Sequence, residues 1–410
     1  MRNLNLLAGC LLFAGLTAGI LPGQAADKRQ NKPPKGEPAM YRWEKNRKER
    51  PSYTDMVLCY GGSHHRNPFL WEKERLIPYV SYVNPDGKEE WLFDSFLFLE
   101  SQDVNRPDKG AYSFMTGVLR GTGVSAGKEQ WQELIDYYFR KGNCVDALED
   151  AVGEASKRMG KPIGKRKVIL MMPDPIIYYR YDITTESTTY WGTLDGRTLD
   201  FSKGEDRLAA CKWYIDQVRH RFDQGNFRHV ELAGFYLISE EIVTPGDGWC
   251  HELKRSEETV PAVAQYLHSI NSSFCWIPYN RAAGYTKWEE LGVDYAYMQP
   301  NYYWDDKGIR PLSRYFEDIL SQDLGMEFEF EESLLEGAGR CEIYRQRFIE
   351  YMEGAVEHGI YGTRPLSYYQ GNSGLYKLAH STHPKDRELY HRFCRFVIDN
   401  PLRNKQQQTE

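Results

Sequence analysis

The segment Gly325–Glu332 reads Gly-Met-Glu-Phe-Glu-Phe-Glu-Glu, in which apolar and acidic side chains alternate. On a β-strand successive side chains point to opposite faces, so Glu327, Glu329 and Glu331 share one face. An edge strand of an open sheet would leave these acids in water. In a buried barrel strand they would point into the barrel, where unpaired carboxylates are costly. Such a cost is tolerated mainly where the carboxyls do chemistry. Whether these acids lie in water or inside a barrel depends on the fold that the rest of the chain predicts.

Apolar runs of strand length recur along the chain and are mostly separated by helical patterns. The predicted strands lie at residues 56–60, 91–99, 168–172, 230–238, 274–278, 295–298, 326–330 and 361–367. The predicted helices lie at residues 128–157, 205–222, 257–269, 312–320, 341–358 and 386–398. Alternation of strand and helix predicts a parallel sheet. Eight such units predict an α/β fold in which the sheet closes as a (β/α)8 TIM-type barrel.

The first β/α unit of this barrel is irregular. Residues 77–83, the turn Asn84–Gly87 and the second strand are typical of a hairpin rather than of a helical crossover. The alternative fold is an open doubly wound sheet. It is less favoured because only Gly61-Gly62-Ser63 follows the first strand, which is a weak match to a glycine-rich phosphate-binding motif.

The N-terminus has the pattern of an export signal. Arg2 precedes the apolar run Leu4–Leu21 and small residues follow it, which predicts a signal peptide over residues 1–25. Residues 26–52 are rich in Lys, Arg and Pro and predict a disordered arm. A single barrel domain is then expected over residues 53–405. We therefore expect an exported protein, periplasmic or extracellular, with no membrane span in the mature chain.

Two other interpretations of the N-terminus stay open. Leu7-Ala8-Gly9-Cys10 has the small residues that precede a lipidated cysteine. Lipid anchoring through Cys10 is less favoured, because apolar residues continue after it where a polar tether would be expected. The apolar run is also at the lower limit for a transmembrane anchor.

Composition limits the classes of ligand. The net charge is −6 with acids and bases mixed, so no strong field for nucleic acid is expected. The chain has 29 Tyr and 10 Trp, whose flat apolar faces and polar tips suit sugar rings. Cys59, Cys211, Cys275 and Cys394 lie in apolar surroundings and predict buried thiols rather than a disulfide framework. The cysteines lack metal-like spacing, and neither a metal nor a cofactor is expected.

In barrels of this kind the site lies at the C-terminal ends of the strands, and acids, amides and aromatic residues dominate there. Besides the acids of the seventh strand, the candidates are Tyr60, His64, Asp174, Glu240, Glu241, Asn280, Gln299, Asn301, Tyr302, Trp304 and Tyr369. Amides and acids hydrogen-bond sugar hydroxyls, aromatic rings stack on sugar faces, and two carboxyls can cleave a glycosidic bond. This set predicts a carbohydrate partner.

Strand parity separates neighbouring acids. On the fourth strand the bulky apolar residues suit the helix-facing side, so Glu240 continues the inward set and Glu241 does not. On the seventh strand Glu327 and Glu329 face inward, with Glu329 nearer the rim and Glu327 a layer deeper.

Glycosidic cleavage needs two carboxyls in opposite protonation states. We assign Glu240 as general acid/base and Glu329 as nucleophile, with the other candidates, Glu327 included, binding substrate. Carboxyls about 5–5.5 Å apart would fit retention of configuration, and about 6.5–9.5 Å would fit inversion. Parity can fail past a strand end, so Glu241, Glu331 and Glu332 stay open as alternatives.

Four segments carry a resemblance to a known family. They are residues 234–240 (Gly-Phe-Tyr-Leu-Ile-Ser-Glu), 276–279 (Trp-Ile-Pro-Tyr), 299–303 (Gln-Pro-Asn-Tyr-Tyr) and 326–329 (Met-Glu-Phe-Glu). On these segments, residues 53–398 resemble the secreted bacterial family catalogued as domain of unknown function 4855. More distantly, the acids after strands four and seven resemble those of barrel glycoside hydrolases that retain configuration. Those enzymes usually carry Asn before the strand-four acid, where this chain has Ser239.

The leading hypothesis is a secreted, retaining glycoside hydrolase that acts on an oligo- or polysaccharide. The alternative is a non-catalytic surface glycan-binding protein on a barrel scaffold, and a structural or adhesion module is a third class. Two acids that face one another across a cleft would favour hydrolysis, whereas one acid beside an aromatic platform would favour binding.

Overall fold

The computed structural model describes residues 52–61, 70–104, 106, 110–115, 123–177, 190–242 and 251–403, with backbone alone for 251–257. The predicted signal peptide with Cys10, the predicted arm up to residue 51, and His64 lie outside the described residues. Within the described part of the chain, no helix has the length and apolar composition needed to cross a bilayer.

Eight parallel strands form a closed barrel. They are β1 (Asp55–Tyr60), β2 (Ser95–Leu99), β3 (Arg166–Met172), β4 (Val230–Leu237), β5 (Ser273–Trp276), β6 (Tyr295–Met298), β7 (Gly325–Glu329) and β8 (Leu366–Tyr369). Each strand pairs with its neighbours in chain order, and β1 closes the ring by pairing with both β2 and β8. The predicted (β/α)8 barrel is confirmed. The alternative of an open doubly wound sheet is wrong, because these eight strands leave no sheet edge.

Helices pack around this ring of strands. In the described residues they are α1 (Lys73–Val80), α2 (Lys128–Tyr138), α3 (Cys144–Met159), α4 (Gly204–Gly225), α5 (His251–Ser269), α6 (Leu312–Ser321), α7 (Cys341–Glu357), α8 (Gly374–His380) and α9 (Pro384–Ile398). The predicted helix over residues 128–157 is instead two helices, α2 and α3. The chain turns between them because Gly142 has φ of 74° and Cys144 has φ of 41°, outside the helical range.

The first β/α unit is irregular in a different way from the prediction. Ser81–Val83 and Glu89–Trp91 form the expected antiparallel hairpin. However, α1 precedes the hairpin, so residues 77–80 are helical rather than extended. Leu76, Tyr79 and Val80 of α1 are buried, which places this short helix in the core despite Pro78 within it.

The alternation on β7 fixes which side chains enter the barrel. Phe328 and Phe330 pack outward on α7, with ring centroids 5.8 Å from Tyr351 and 4.5 Å from Phe348. Glu327 and Glu329 lie on the opposite face and are 2% and 1% exposed. The acids therefore point into the barrel rather than into water.

Two excursions follow β2 and β3 on the side of the barrel where the strands end. After β2, residues 102–103, 111–113 and 123–125 form a small three-stranded sheet. After β3, Tyr190–Leu194 and Arg197–Asp200 form a hairpin. Trp191 of this hairpin is buried against Trp131 of α2 and Trp213 of α4, with ring centroids 5.3 and 5.5 Å apart.

At the end of the barrel where the strands begin, a buried polar network surrounds Asp55. The Tyr368 hydroxyl donates to Asp55 over 2.7 Å, and Asn400 Nδ2 donates to both carboxylate oxygens over 3.2 and 3.3 Å. Burial raises the pKa of Asp55 to about 6; the charge of Arg403 lowers it and that of Asp94 raises it. The network joins the segment after α9 to the seam between β1 and β8.

The described cysteines are buried thiols: Cys59, Cys144, Cys211, Cys275, Cys341 and Cys394.

Candidate active site

The segment after β4 supplies the first candidate carboxyl, Glu240. Gln299, just past β6, donates from Nε2 to Glu240 Oε1 over 3.3 Å. The same nitrogen donates to the Ile277 carbonyl over 2.9 Å. Because a carbonyl can only accept, this second bond fixes the orientation of the amide, and Gln299 presents its NH2 group to Glu240.

The last residue of β7, Glu329, supplies the second carboxyl. The backbone N–H of Asn301 donates to Glu329 Oε1 over 3.0 Å, and the Tyr351 hydroxyl donates to Oε2. The Tyr351 hydroxyl in turn accepts the backbone N–H of Tyr302 over 3.1 Å. Its own proton is therefore available for Glu329, and both carboxyl oxygens have a donor.

Burial and hydrogen bonding act in opposite directions on Glu329. Burial raises the pKa of Glu329 to about 8, and the charge of Glu240 raises it too, while the hydrogen bonds from Tyr351 and Asn301 lower it. The donors favour the ionised carboxylate and burial favours the neutral acid, and burial has the larger effect.

A third carboxyl, Glu327, lies on the same face of β7, two residues before Glu329. Burial raises the pKa of Glu327 well above its ordinary value, and the charges of Glu329 and Glu240 raise it further. Because each of these charges acts on the others, the three acids form one electrostatic cluster inside the barrel.

The other acids that parity left open turn away from this cluster. Glu241 accepts a hydrogen bond from the Tyr279 hydroxyl and one from the Ala283 N–H over 3.4 Å, both in the segment after β5. Glu332 accepts the backbone N–H of Ser373 over 2.8 Å, beyond β8. Parity thus separates Glu240 from its neighbour Glu241 in the way that the sequence predicts.

Three of the predicted aromatic residues meet at the rim. The Tyr369 ring lies edge-on to Tyr60, with centroids 5.8 Å apart, and edge-on to Trp304, with centroids 5.7 Å apart. Tyr302 does not join them, since its hydroxyl donates to Glu350 of α7 over 2.6 Å. Tyr60, Trp304 and Tyr369 form what we call the rim aromatic cluster.

The remaining candidates have protein partners. The Asn280 amide oxygen accepts a hydrogen bond from Arg310 over 3.0 Å. Asp174, after β3, accepts the hydroxyl of Ser239, the residue before Glu240. Asn301 has φ of 58°, a left-handed conformation that Asn tolerates, and it is this backbone turn that aims its N–H at Glu329.

Sequence reasoning missed Tyr351 and Glu100. Tyr351 lies in the middle of α7, and no strand-end rule could select it. Glu100 directly follows β2 and is 2% exposed; burial raises the pKa of Tyr137 and Tyr138, and the charge of Glu100 raises both further. Its place after a barrel strand is the sequence signal that points to Glu100.

One group of side chains in the described residues has the spacing of metal ligands. It comprises Glu336, Cys341 and Glu342. Lys385 lies 2.7 Å from Glu342 and Arg345 lies 2.9 Å from Glu336, so protein cations already pair with both carboxylates. No metal chemistry is assigned to it.

Residues 55–395 match the family described as Domain of unknown function (DUF4855). The chain belongs to this family. The match spans the barrel from β1 to α9, and it confirms the resemblance carried by the four segments quoted above. The family description itself assigns no activity.

Comparisons with individual proteins give only distant similarities. No curated protein matches the sequence. An endo-β-1,4-mannanase double mutant from Cellulomonas fimi is similar with 12% identity and a TM-score of 0.43, over 89% of this chain and 75% of that one. The catalytic domain of a family GH18 chitinase from the fern Peteris ryukyuensis gives 10% identity and a TM-score of 0.41, over 84% and 99%. A GH26 β-mannanase from Bacteroides ovatus gives 12% identity and 0.33, over 88% and 92%. Such identities transfer no activity to this chain.

Proposed function

We propose that the protein is an exported glycoside hydrolase that cleaves an oligo- or polysaccharide and retains the anomeric configuration. Glu240 is the general acid/base, which protonates the leaving oxygen and later takes a proton from water. Glu329 is the nucleophile. Its carboxylate oxygen bonds to the anomeric carbon as the glycosidic C–O bond breaks, and the activated water then cleaves that ester.

One arrangement carries the proposal. Gln299 and Asn301 lie two residues apart after β6, and they hold Glu240 and Glu329 respectively. Two carboxyls from different strands are thus oriented by one short segment. The charge of Glu240 raises the pKa of Glu329, which supports their closeness. Paired acids at the carboxyl end of a barrel are what hydrolysis of a glycosidic bond requires.

The hydrogen bonds support the division of roles. Two donors, Tyr351 and the Asn301 N–H, stabilise negative charge on Glu329. Positive charge develops on the sugar ring in the transition state and favours the ionised Glu329 further. Glu240 is then the partner that holds the proton before cleavage.

The rim aromatic cluster supports a carbohydrate as the partner. Tyr369 is 7% exposed and links Tyr60 with the partly exposed Trp304, so polar-tipped rings line the edge of the acid cluster. Aromatic rings beside hydrogen-bonding acids and amides suit the faces and hydroxyls of a sugar.

Reducing-end release from a panel of glycans tests the proposal. We expect the parent to cleave at least one glycan, and Glu240→Gln and Glu329→Gln each to lose about 10²–10⁴-fold in rate. Glu353→Gln is the matched control, because this exposed acid of α7 pairs with Arg392 on the surface. If both site variants cleave as well as the parent, the assignment of the carboxyls is wrong.

Two further readouts resolve the finer parts of the proposal. Proton NMR of the first product identifies the anomer, and an inverted anomer would contradict the nucleophilic role of Glu329. If the parent binds glycans in pull-down assays yet cleaves none, the protein is a glycan-binding protein instead. Fractionation of the native host tests export.

A further inference from the structure

Glu327 is a buried acid that the proposed reaction does not use. It follows Gly325 on the inward face of β7 and lies one layer below Glu329. Its side chain is 2% exposed, and none of the described residues is within hydrogen-bond reach of its Oε1. A buried carboxyl oxygen without a donor is rare in folded proteins, which calls for a chemical explanation.

In the part of the chain that the structure describes, the surroundings of Glu327 offer no positive charge. The groups that interact with it electrostatically are Glu329 of the same strand, Glu240 after β4, Tyr236 of β4 and Cys275 of β5. On the β8 side, its register partner Ser367 is neutral and also buried. Among the described residues, no Lys, Arg or His pairs with this carboxyl.

Within the described residues, an ionised Glu327 would therefore face two other acids with no donor to its Oε1 and no counter-ion. A protonated Glu327 avoids both costs, because a neutral carboxylic acid has no charge to be solvated or repelled. A carboxylic acid kept neutral in an apolar setting is an established device in active sites.

We propose that Glu327 is a permanently protonated carboxyl that forms the floor of the active site and sets the charge of the catalytic pair. With Glu327 and Glu240 both protonated, Glu329 can ionise as the one negative charge among the three acids. With Glu327 ionised, a second negative charge would oppose ionisation of Glu329. Glu327 is thus a positioning residue that acts through Glu329 and not a substrate contact. This inference rests on the proposed function for its catalytic consequence, but its protonation state can be measured without any glycan.

Infrared difference spectroscopy of the parent against Glu327→Gln tests the protonation state directly. Between pH 6 and 8 we expect the variant to lose one carbonyl band of a protonated carboxylic acid and no carboxylate band. Loss of a carboxylate band instead would overturn the inference. This result does not depend on whether the parent cleaves glycans, so it is distinguishable from failure of the proposed function.

Cleavage kinetics supply the second readout. Because Gln is neutral and similar in shape, Glu327→Gln should lose at least about tenfold less rate than Glu329→Gln, and the acidic limb of its pH profile should stay in place. Glu329→Gln, its neighbour on the same face, should lose about 10²-fold or more. A loss in Glu327→Gln as large as that in Glu329→Gln would assign the nucleophile to Glu327. A rise in KM alone would make Glu327 a substrate contact, and either outcome overturns the inference.

Discussion

Tyr351 is the residue through which helix α7 reaches the candidate nucleophile. Its hydroxyl is buried, accepts the Tyr302 N–H and donates to Glu329. A hydroxyl fixed in this way cannot rotate to another acceptor, so its donated bond persists when Glu329 gains negative charge. Preorganised donors of this kind need no rearrangement during the reaction.

Tyr351→Phe should lower kcat by about 10- to 150-fold, since a hydrogen bond to a charged group contributes about 1.5–3 kcal/mol. The pH profile should change as well. The Tyr351 bond lowers the pKa of Glu329, so its loss raises that pKa. Cleavage needs ionised Glu329, and the acidic limb of the profile should therefore move to higher pH.

Tyr344→Phe is the matched control for this prediction. Tyr344 lies on the same helix and stacks on Tyr303 with centroids 4.9 Å apart, away from Glu329. The control should keep the activity and the pH profile of the parent. A Tyr351→Phe enzyme that is slower but has an unmoved acidic limb would show that Tyr351 acts through packing alone.

The residues that sequence could identify are those that obey strand periodicity. Glu240 and Glu241 are adjacent, yet the alternation along β4 selects Glu240, and Gln299 indeed reaches that side chain while Tyr279 holds the other. Tyr351 obeys no such rule. Its role depends on the crossing of α7 over the β6 loop, which is set by tertiary packing rather than by local pattern.

At the scale of elements, β4 and β5 approach each other unusually closely at Gly234. A Cβ built at Gly234 would lie 2.1 Å from Ser273 Oγ and 2.5 Å from the Ser273 carbonyl oxygen. The Ser273 hydroxyl donates to the Ala233 carbonyl over 3.0 Å and occupies the space that a side chain would need. This contact holds the strand that leads to Glu240 against its neighbour.

Gly234→Ala should therefore destabilise the protein by about 1–3 kcal/mol or more, because the strand backbone cannot yield as a flexible side chain could. Urea denaturation followed by circular dichroism measures the change. Gly339→Ala is the control, since a Cβ there meets nothing within 4 Å. Equal stability of the two variants would mean that β4 and β5 can separate at little cost.

The sequence predicts some strands and helices better than others, and the reasons are physical. Barrel strands are buried on both faces, so they appear as continuous apolar runs, and residues 295–298 match β6 in full. Helix α1 was missed because Pro78 and the following hairpin residues mimic an extended segment. The break between α2 and α3 depends on the left-handed turn at Gly142, which the apolar periodicity on either side conceals.

In the whole molecule, the two ends of the barrel have different roles: one holds a stabilising polar network and the other holds the acid cluster. Closure of the ring could be predicted from the count of strand–helix units, because eight parallel strands leave no edge to protect. The buried polar network around Asp55 could not be predicted, because Asp55 and Asn400 lie at opposite ends of the sequence and meet only when β1 and β8 close the ring. Stabilising contacts at this end offset the cost of burying the cluster of acids at the other end.

Asn400→Ala tests this division between the two ends. The substitution removes both hydrogen bonds from Asn400 to the buried Asp55 carboxyl, and we expect a loss of about 1.5–3 kcal/mol in the free energy of unfolding. Asn400 lowers the pKa of Asp55, so the variant raises that pKa above about 6. Unfolded Asp ionises at lower pH than the folded group. The stability deficit should therefore grow as pH rises from 5 to 8, where the ionised Asp55 lacks the donor that Asn400 supplies.

Activity should respond differently from stability in the same variant. At temperatures well below the unfolding transition, Asn400→Ala should cleave glycans at the rate of the parent, because Asp55 lies at the end of the barrel opposite the acid cluster. Arg392→Ala is the control, since its exposed ion pair with Glu353 should contribute less than about 1 kcal/mol. A stable Asn400→Ala protein with reduced cleavage would instead show that the buried polar network around Asp55 is coupled to Glu240 and Glu329. In that case the tasks of the two ends could not be separated, and the burial of Asp55 would need a catalytic explanation.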